Sequence, residues 1–207
     1  MLANKWAAAL RFHTSEAGAA AVELAIIFPF LLMVTFGILE FSFILYQMNM
    51  AEKATQFGVR KAVTWDPVAP ELTTYPGSGA AGTPLPAGLQ VDITCDNTGC
   101  TGAGAIANPT LNSAAFNAVV GAMASIYPTI TANDVVITYH NIGLGFNGRP
   151  GGAVVPSVTV SLRNLHYDWI LLDVAVLIVS AGALDINNII YPSFSATLTG
   201  EDLDDGA

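Results

Sequence analysis

The sequence predicts an α+β protein in which a long N-terminal helix carries a small antiparallel sheet with one or two packed helices. The first sign is an apolar run over residues 19–39, interrupted only by Glu23. The second is amphipathic spacing that carries the same helix on to about residue 63. The third is a change of pattern beyond residue 88, where alternating segments bounded by turn residues read as strands.

Composition agrees with that division. Charged residues make up 11% of the 207-residue chain, against about a quarter in an ordinary soluble domain. Apolar residues reach 53%, so a membrane segment or a surface covered by other subunits is required. The net charge of −9 is concentrated towards Glu16 and the stretch Glu201, Asp202, Asp204 and Asp205. The seven Lys and Arg residues form no basic stripe, which argues against nucleic acid as a partner.

Residues 19–39 would span roughly 32 Å as a helix, about one bilayer core. Phe41, Ile44, Leu45, Met48, Ala51, Thr55 and Ala62 continue at helical spacing, with Gln47, Glu52, Lys53, Gln56, Arg60 and Lys61 on other faces. Pro67 and Pro70 prevent continuation, and Pro29 should kink the helix. A cleaved secretory signal is the plainer reading. It is opposed by the length of the run and by the lack of a small-residue cleavage site behind it. Lys5 and Arg11 precede the span while Lys53, Arg60 and Lys61 follow it, so basic residues do not set its orientation.

Glu23 lies at the edge of the apolar run, where a carboxylate carried to the bilayer centre would cost about 2.5–3.5 kcal/mol. Cleavage between Gly18 and Ala19 would supply compensation. The new α-amino group of Ala19 would stand four residues before Glu23 on the same helical face. A carboxylate is favoured at a helix N-terminus, where an ammonium is opposed. Glu23 would then neutralise the amine of its own chain or of a neighbouring subunit. The other reading is an interfacial carboxylate snorkelling to headgroups.

Gly18-Ala-Ala-Ala-Val-Glu23, followed by Leu24-Ala-Ile-Ile-Phe-Pro29, resembles the type IV prepilin signal. More narrowly, it resembles the TadE-like pseudopilins of tight-adherence (Flp, type IVc) pili. Gly37-Ile38-Leu39-Glu40-Phe41 is similar to that family's G-I-x-E-F segment, and Gly58-Val-Arg60-Lys-Ala62 to its G-x-R-x-A pattern. Val158-Thr-Val160 and Phe194-Ser-Ala196-Thr resemble its last two strands. Leu24 stands where Phe or Tyr is commoner. The resemblance implies a pilin-like architecture and a minor pilin or pseudopilin that supports assembly, adhesion and biofilm formation. It implies processing by a prepilin peptidase, with other pilins, a Tad-type assembly platform and membrane lipid as partners. The expected location is the inner membrane, single-pass with an extracytoplasmic C-terminal domain, and then the fibre. The organisation that follows is a leader over 1–18, a transmembrane and assembly helix over 19–63, a Pro/Gly-rich linker over 64–88 and an extracytoplasmic α+β domain over 89–207.

Residues 66–88 hold Pro67, Pro70, Pro76, Pro84 and Pro86 with four glycines, and read as an exposed linker. Residues 89–95 alternate like a half-buried strand. Cys95 and Cys100 flank Asp96-Asn-Thr-Gly99, four turn formers, and are best read as a local disulfide in an oxidising compartment. Residues 108–130 place Phe116, Val119, Val120, Met123, Ile126 and Tyr127 at helical spacing. Residues 134–140 and 153–163 read as strands joined by a flexible glycine-rich connection over 141–152. A phosphate cradle would have to lead into a helix, and this loop leads into a strand.

Residues 169–184 are nearly all apolar but too few to span a bilayer, with Asp173 inside, and suit a buried helix or a surface covered by another pilus subunit. Residues 189–199 supply a closing strand, with Pro192 placing it at an edge or bulge. His140 and His166 fall on strands and read as structural. No nucleophile motif or metal-ligand spacing appears, so neither a catalytic residue, a metal nor a cofactor is expected. Glu201–Asp205 lacks the distal glutamate of a calcium loop and reads as a solvated acidic stretch. Against the pilin reading stand an uncleaved, membrane-anchored ligand-binding domain and, less favoured, an extracytoplasmic enzyme.

Overall fold

A computed structural model describes residues 16–86, 88–167, 189–200 and 203. Residues 1–15 of the expected leader, the apolar stretch 169–184 and the acids Glu201, Asp202, Asp204 and Asp205 lie outside the described residues. The chain forms two compact units, one holding helix α1 up to Ile44 and the other holding α1 from Leu45 together with the sheet.

Helix α1 runs Glu16–Val63, 48 residues, and continues through Pro29. In the first unit it is long and apolar enough to cross a membrane, and its large side chains are bare: Ile26 is 71% and Phe30 70% exposed. Such a surface is stable only in lipid or against other apolar helices.

In the second unit the character of α1 changes. Ala51, Ala54, Thr55, Val59, Ala62 and Val63 are buried, a repeat of three and four residues that marks one face. Glu52, Lys53, Gln56, Phe57 and Arg60 are exposed opposite. The buried face is made mostly of small side chains, which lets the helix backbone come close to its neighbours.

Those neighbours are a five-stranded antiparallel sheet and a second long helix. The strands are β1 (Val91–Asp96), β2 (Gly99–Gly104), β3 (Val135–Gly145), β4 (Val154–Leu162) and β7 (Phe194–Thr199), in the order β2-β1-β3-β4-β7. Short strands β5 (His166–Tyr167) and β6 (Ile189–Ile190) pair separately. Inward residues alternate along β1, β3 and β4: Val91, Ile93 and Cys95; Val135, Ile137 and Tyr139; Val158, Val160 and Leu162. Period two puts these on one face. The outward face carries a row of threonines, one per strand: Thr101, Thr94, Thr138, Thr159 and Thr197 stand in register. Thr159 and Thr197 share a hydroxyl–hydroxyl bond of 2.8 Å, a stabilising cross-strand pair.

The second long helix, α3 (Ser113–Ala124), starts where the Asn112 side chain accepts the Ala115 N–H at 3.2 Å, an N-cap. It is shorter than the periodicity of residues 108–130 predicts. The chain tightens after Ala124, where the Ile126 N–H bonds the Met123 carbonyl, and Pro128 discourages any further turn. Ala115, Phe116, Val119 and Met123 are buried.

Several expectations are corrected. Residues 66–88 are not an exposed linker: Val68, Ala69, Leu72 and Leu85 are buried, and a short helix α2 (Glu71–Thr74) forms there. The hairpin turn between the cysteines has two residues rather than four, because Asp96 pairs with Gly99. The glycine-rich connection is partly strand, since β3 runs to Gly145 with a register shift between Asn141 and Leu144. The closing strand is divided at Pro192 into β6 and β7, where proline offers no N–H to a ladder.

Gly58 marks a close approach of α1 to its neighbours. A Cβ there would stand 2.7 Å from the Met123 Cγ and Sδ and 3.3 Å from the Val160 Cγ1. Gly58→Val should therefore lower stability by about 1–3 kcal/mol, the usual cost of overpacking, read from unfolding of the full chain in detergent. Replacing both Cys95 and Cys100 by Ser should cost about 2 kcal/mol, as expected for so short a closed loop, in the same assay.

Candidate functional site

The residues singled out from the sequence for processing and assembly, Gly18, Ala19 and Glu23, lie on one continuous helix. All three fall in its first turns and are exposed. Ala19 and Glu23 are four apart in an α-helix and so share a face. Glu40, expected at the outer interface or against another helix, is fully buried. The Gly58 of the G-x-R-x-A segment is the contact with α3 and β4, while Arg60 points to the exposed side.

Polar contacts hold the second half of α1 to its domain. The Gln47 Oε1 accepts the Tyr127 hydroxyl at 3.0 Å and the Tyr191 hydroxyl at 3.3 Å. Burial pushes the Tyr191 phenol up to about 12, with Tyr127 adding to the effect, so the Tyr191 phenol remains a donor at neutral pH. Sequence reading placed Gln47 merely off the apolar face. The two tyrosines that need it come from distant segments, and no local signal pairs them.

The Pro/Gly segment is secured in the same manner. The Val68 N–H donates to the Tyr139 hydroxyl at 3.0 Å, and the Val68 carbonyl accepts the Asn112 N–H at 2.8 Å. Tyr139 is wholly buried, which raises its pKa. Asn147, 1% exposed, binds residues 79–84: its Oδ1 accepts the Gly79 N–H at 3.0 Å, and its Nδ2 donates to the Thr83 Oγ1 at 2.9 Å and the Thr83 carbonyl at 3.1 Å. Gly152 closes the arrangement at φ 98, where a Cβ would stand 1.9 Å from the Leu72 carbonyl oxygen. Only glycine fits.

Cys95 and Cys100 face each other across the β1–β2 hairpin and form a disulfide, with Cα atoms 4.0 Å apart. Beside them Asp96 accepts the Thr98 hydroxyl at 2.6 Å and backbone N–H at 2.9 Å, and pairs with Arg163 at 3.0 Å. These bonds, Thr98 foremost, take its carboxyl from the ordinary 3.8 to about 2. Asp92 is lowered chiefly by its hydrogen bond with His140.

A shallow recess of about 360 Å³ lies between α2 and residues 105–108, lined by Glu71, Thr74, Tyr75 and Ile106. Burial raises the pKa of Glu71, but bonds from the Thr110 hydroxyl (2.7 Å) and N–H (3.0 Å) outweigh it, and the net direction is down. The carboxylate is thus committed to joining α2 to residue 110. No group of three His, Cys, Asp or Glu side chains suited to a metal occurs among the described residues.

A bare apolar helix whose second half is packed on its own antiparallel sheet defines an α+β protein of pilin-like plan, with one candidate membrane span among the described residues. The model of the family described as TadE-like protein matches residues 18–60, so the N-terminal segment is TadE-like, consistent with a TadE-like pilin of the Tad system. No curated protein and no solved structure matches the chain.

The carboxylate of Asp96 titrates lower when folded than when unfolded, so it stabilises the fold above pH 3.8 and the benefit is lost as pH falls towards 2. Asp96→Asn should flatten that acid limb without changing the slope above pH 5. Denaturant midpoints of the full chain across pH 2–6 measure it.

Proposed function

We propose that the chain is a minor pilin or pseudopilin of a tight-adherence (Tad/Flp, type IVc) pilus, cleaved between Gly18 and Ala19 by a prepilin peptidase. The reading is supported above all by the coincidence of the TadE-like match, residues 18–60, with α1. Its first part is bare and apolar, and its second is built into the folded domain. Such a helix has one half free for lipid or a helical bundle while the other carries the domain.

In this role α1 anchors the subunit in the inner membrane with the sheet domain outside the cytoplasm, and then leaves lipid for a bundle of pilin helices. Exchange of one apolar environment for another costs little hydrophobic free energy. Glu23 supplies the polar term: it pairs with the new α-amino group of Ala19, its own or a neighbour's, and so aligns subunits entering the fibre. The role is structural, and support of attachment and biofilm formation follows from it.

Intact-mass measurement on membrane-purified protein from cells with an active prepilin peptidase should show a mature form that begins at Ala19. Full-length protein alone would overturn the reading. Glu23→Ala should leave the mature form in place but reduce piliation severely, scored by shearing and microscopy; normal piliation would remove the charge-pairing role.

A further inference from the structure

Strands β2 and β7 are the two edges of the five-stranded sheet, and among the described residues no backbone group outside their ladders bonds to either strand. Both are six residues long, pair without a register shift and carry neither charge nor proline. Edge strands are ordinarily blunted by such residues or by bulges. On β7 the core-side face is also open: Leu198 stands opposite the fully buried Val158 yet is itself 41% exposed.

Hydrogen-bond parity shows which groups these edges offer. The Gly200 N–H donates to the Pro156 carbonyl at 2.8 Å, in phase with the β4–β7 register. The even-numbered residues of β7 therefore bond β4, and Ser195, Thr197 and Thr199 turn their N–H and carbonyl groups away from the sheet. On β2, Cys100 faces Cys95 with Cα atoms 4.0 Å apart, the spacing of a non-hydrogen-bonded pair. Cys100, Gly102 and Gly104 thus turn their groups away from the sheet. Successive strands are antiparallel along β2-β1-β3-β4-β7, so the two edges run in the same direction. In a parallel ladder a residue bonds the two that flank its neighbour, and those two carry their side chains on the other face. Thr197 beside Thr101 meets that condition, with Cys100 and Gly102 as its partners.

We propose that β7 of one copy pairs in parallel with β2 of a second copy, Thr197 beside Thr101, so that the sheet and its threonine row run on from copy to copy. The match in length, direction and bonding parity selects a second copy as the occupant. Charge permits the meeting, because on a chain of net charge −9 both edges are uncharged. Two β7 edges meeting antiparallel would turn one seated stretch of α1 against the other. Subunits entering one fibre run in one sense, and to that extent the inference rests on the pilin reading. A ladder this short buries less than the roughly 1,200 Å² of a complex formed freely in solution, so it closes between copies concentrated in one membrane.

The experiment uses two differently tagged full-length copies expressed together in membranes, one with Thr197→Cys and the other with Thr101→Cys. Neighbouring strands lie about 4.8 Å apart, within the range of roughly 4.4–6.8 Å that a disulfide spans. Mild oxidation should yield a heterodimer bearing both tags, and a chain with both substitutions should yield a ladder of multimers. Thr199→Cys with Ala103→Cys should link as well, being the next pair in the same register, whereas Thr197→Cys with Ala103→Cys should not. With the 199–103 link as readout, Thr197→Lys opposite Thr101→Lys should lower the yield at least about fivefold, since like charges stand directly opposed. Thr197→Lys opposite Thr101→Glu should restore it, which a misfolded edge would not allow. The proposal is overturned if neither link forms, if Thr197→Cys alone closes a homodimer as readily, or if the cysteines link only to other proteins. Processing to Ala19 is scored on the same samples: a processed chain without the links defeats this inference alone, whereas an unprocessed chain that links defeats the pilin reading alone.

Discussion

The close seat of α1 on α3 and β4 is the constraint on which the rest of the structure depends. A single long helix cannot be both an apolar rod and part of a folded core unless its surface changes along its length. Here the change is made by size. Large bare side chains up to about residue 46 give way to Ala51, Ala54, Gly58 and Ala62. Small residues exchange side-chain volume for backbone proximity, so Met123 and Val160 fill the space a Cβ would have taken at Gly58. Gly58 costs about 1 kcal/mol of helix propensity relative to Ala, and the packed contact offsets it.

The irregular segments are held by a few side chains that answer for backbone groups with no ladder to join. Proline-rich chain cannot pair with itself, and each buried N–H or carbonyl left alone carries a penalty. Tyr139, Asn112 and Asn147 meet those demands around Val68 and residues 79–84. Through them, two stretches that look independent in sequence become one docked layer. The glycines of residues 143–152 are the other half of that layer, supplying turns through which Asn147 reaches its partners.

Much of this was legible from periodicity. The extent of α1, the inward faces of β1, β3 and β4, the core side of α3 and the cysteine pairing all follow from spacing and turn chemistry. What escaped was whatever depends on a distant partner. Strand β2 reads Gly-Cys-Thr-Gly-Ala-Gly, with no alternation to announce it, and exists because β1 folds back on it. Proline and glycine in residues 66–88 reported local backbone preference correctly, yet local preference says nothing of burial. Gln47 looked like a polar residue on a helix flank, and only the fold brings Tyr127 and Tyr191 to it.

The seat of α1 in the second unit, from Leu45 to Val63, has a mechanical meaning. A pull along this stretch of helix acts directly on the packed domain. It loads the contacts at Gln47, Gly58 and Ala62 in shear, many at once, rather than peeling them one by one. Interdigitated contacts resist sliding together, so the domain would move with this stretch of helix. An element built this way can be drawn from its surroundings without unfolding what it carries.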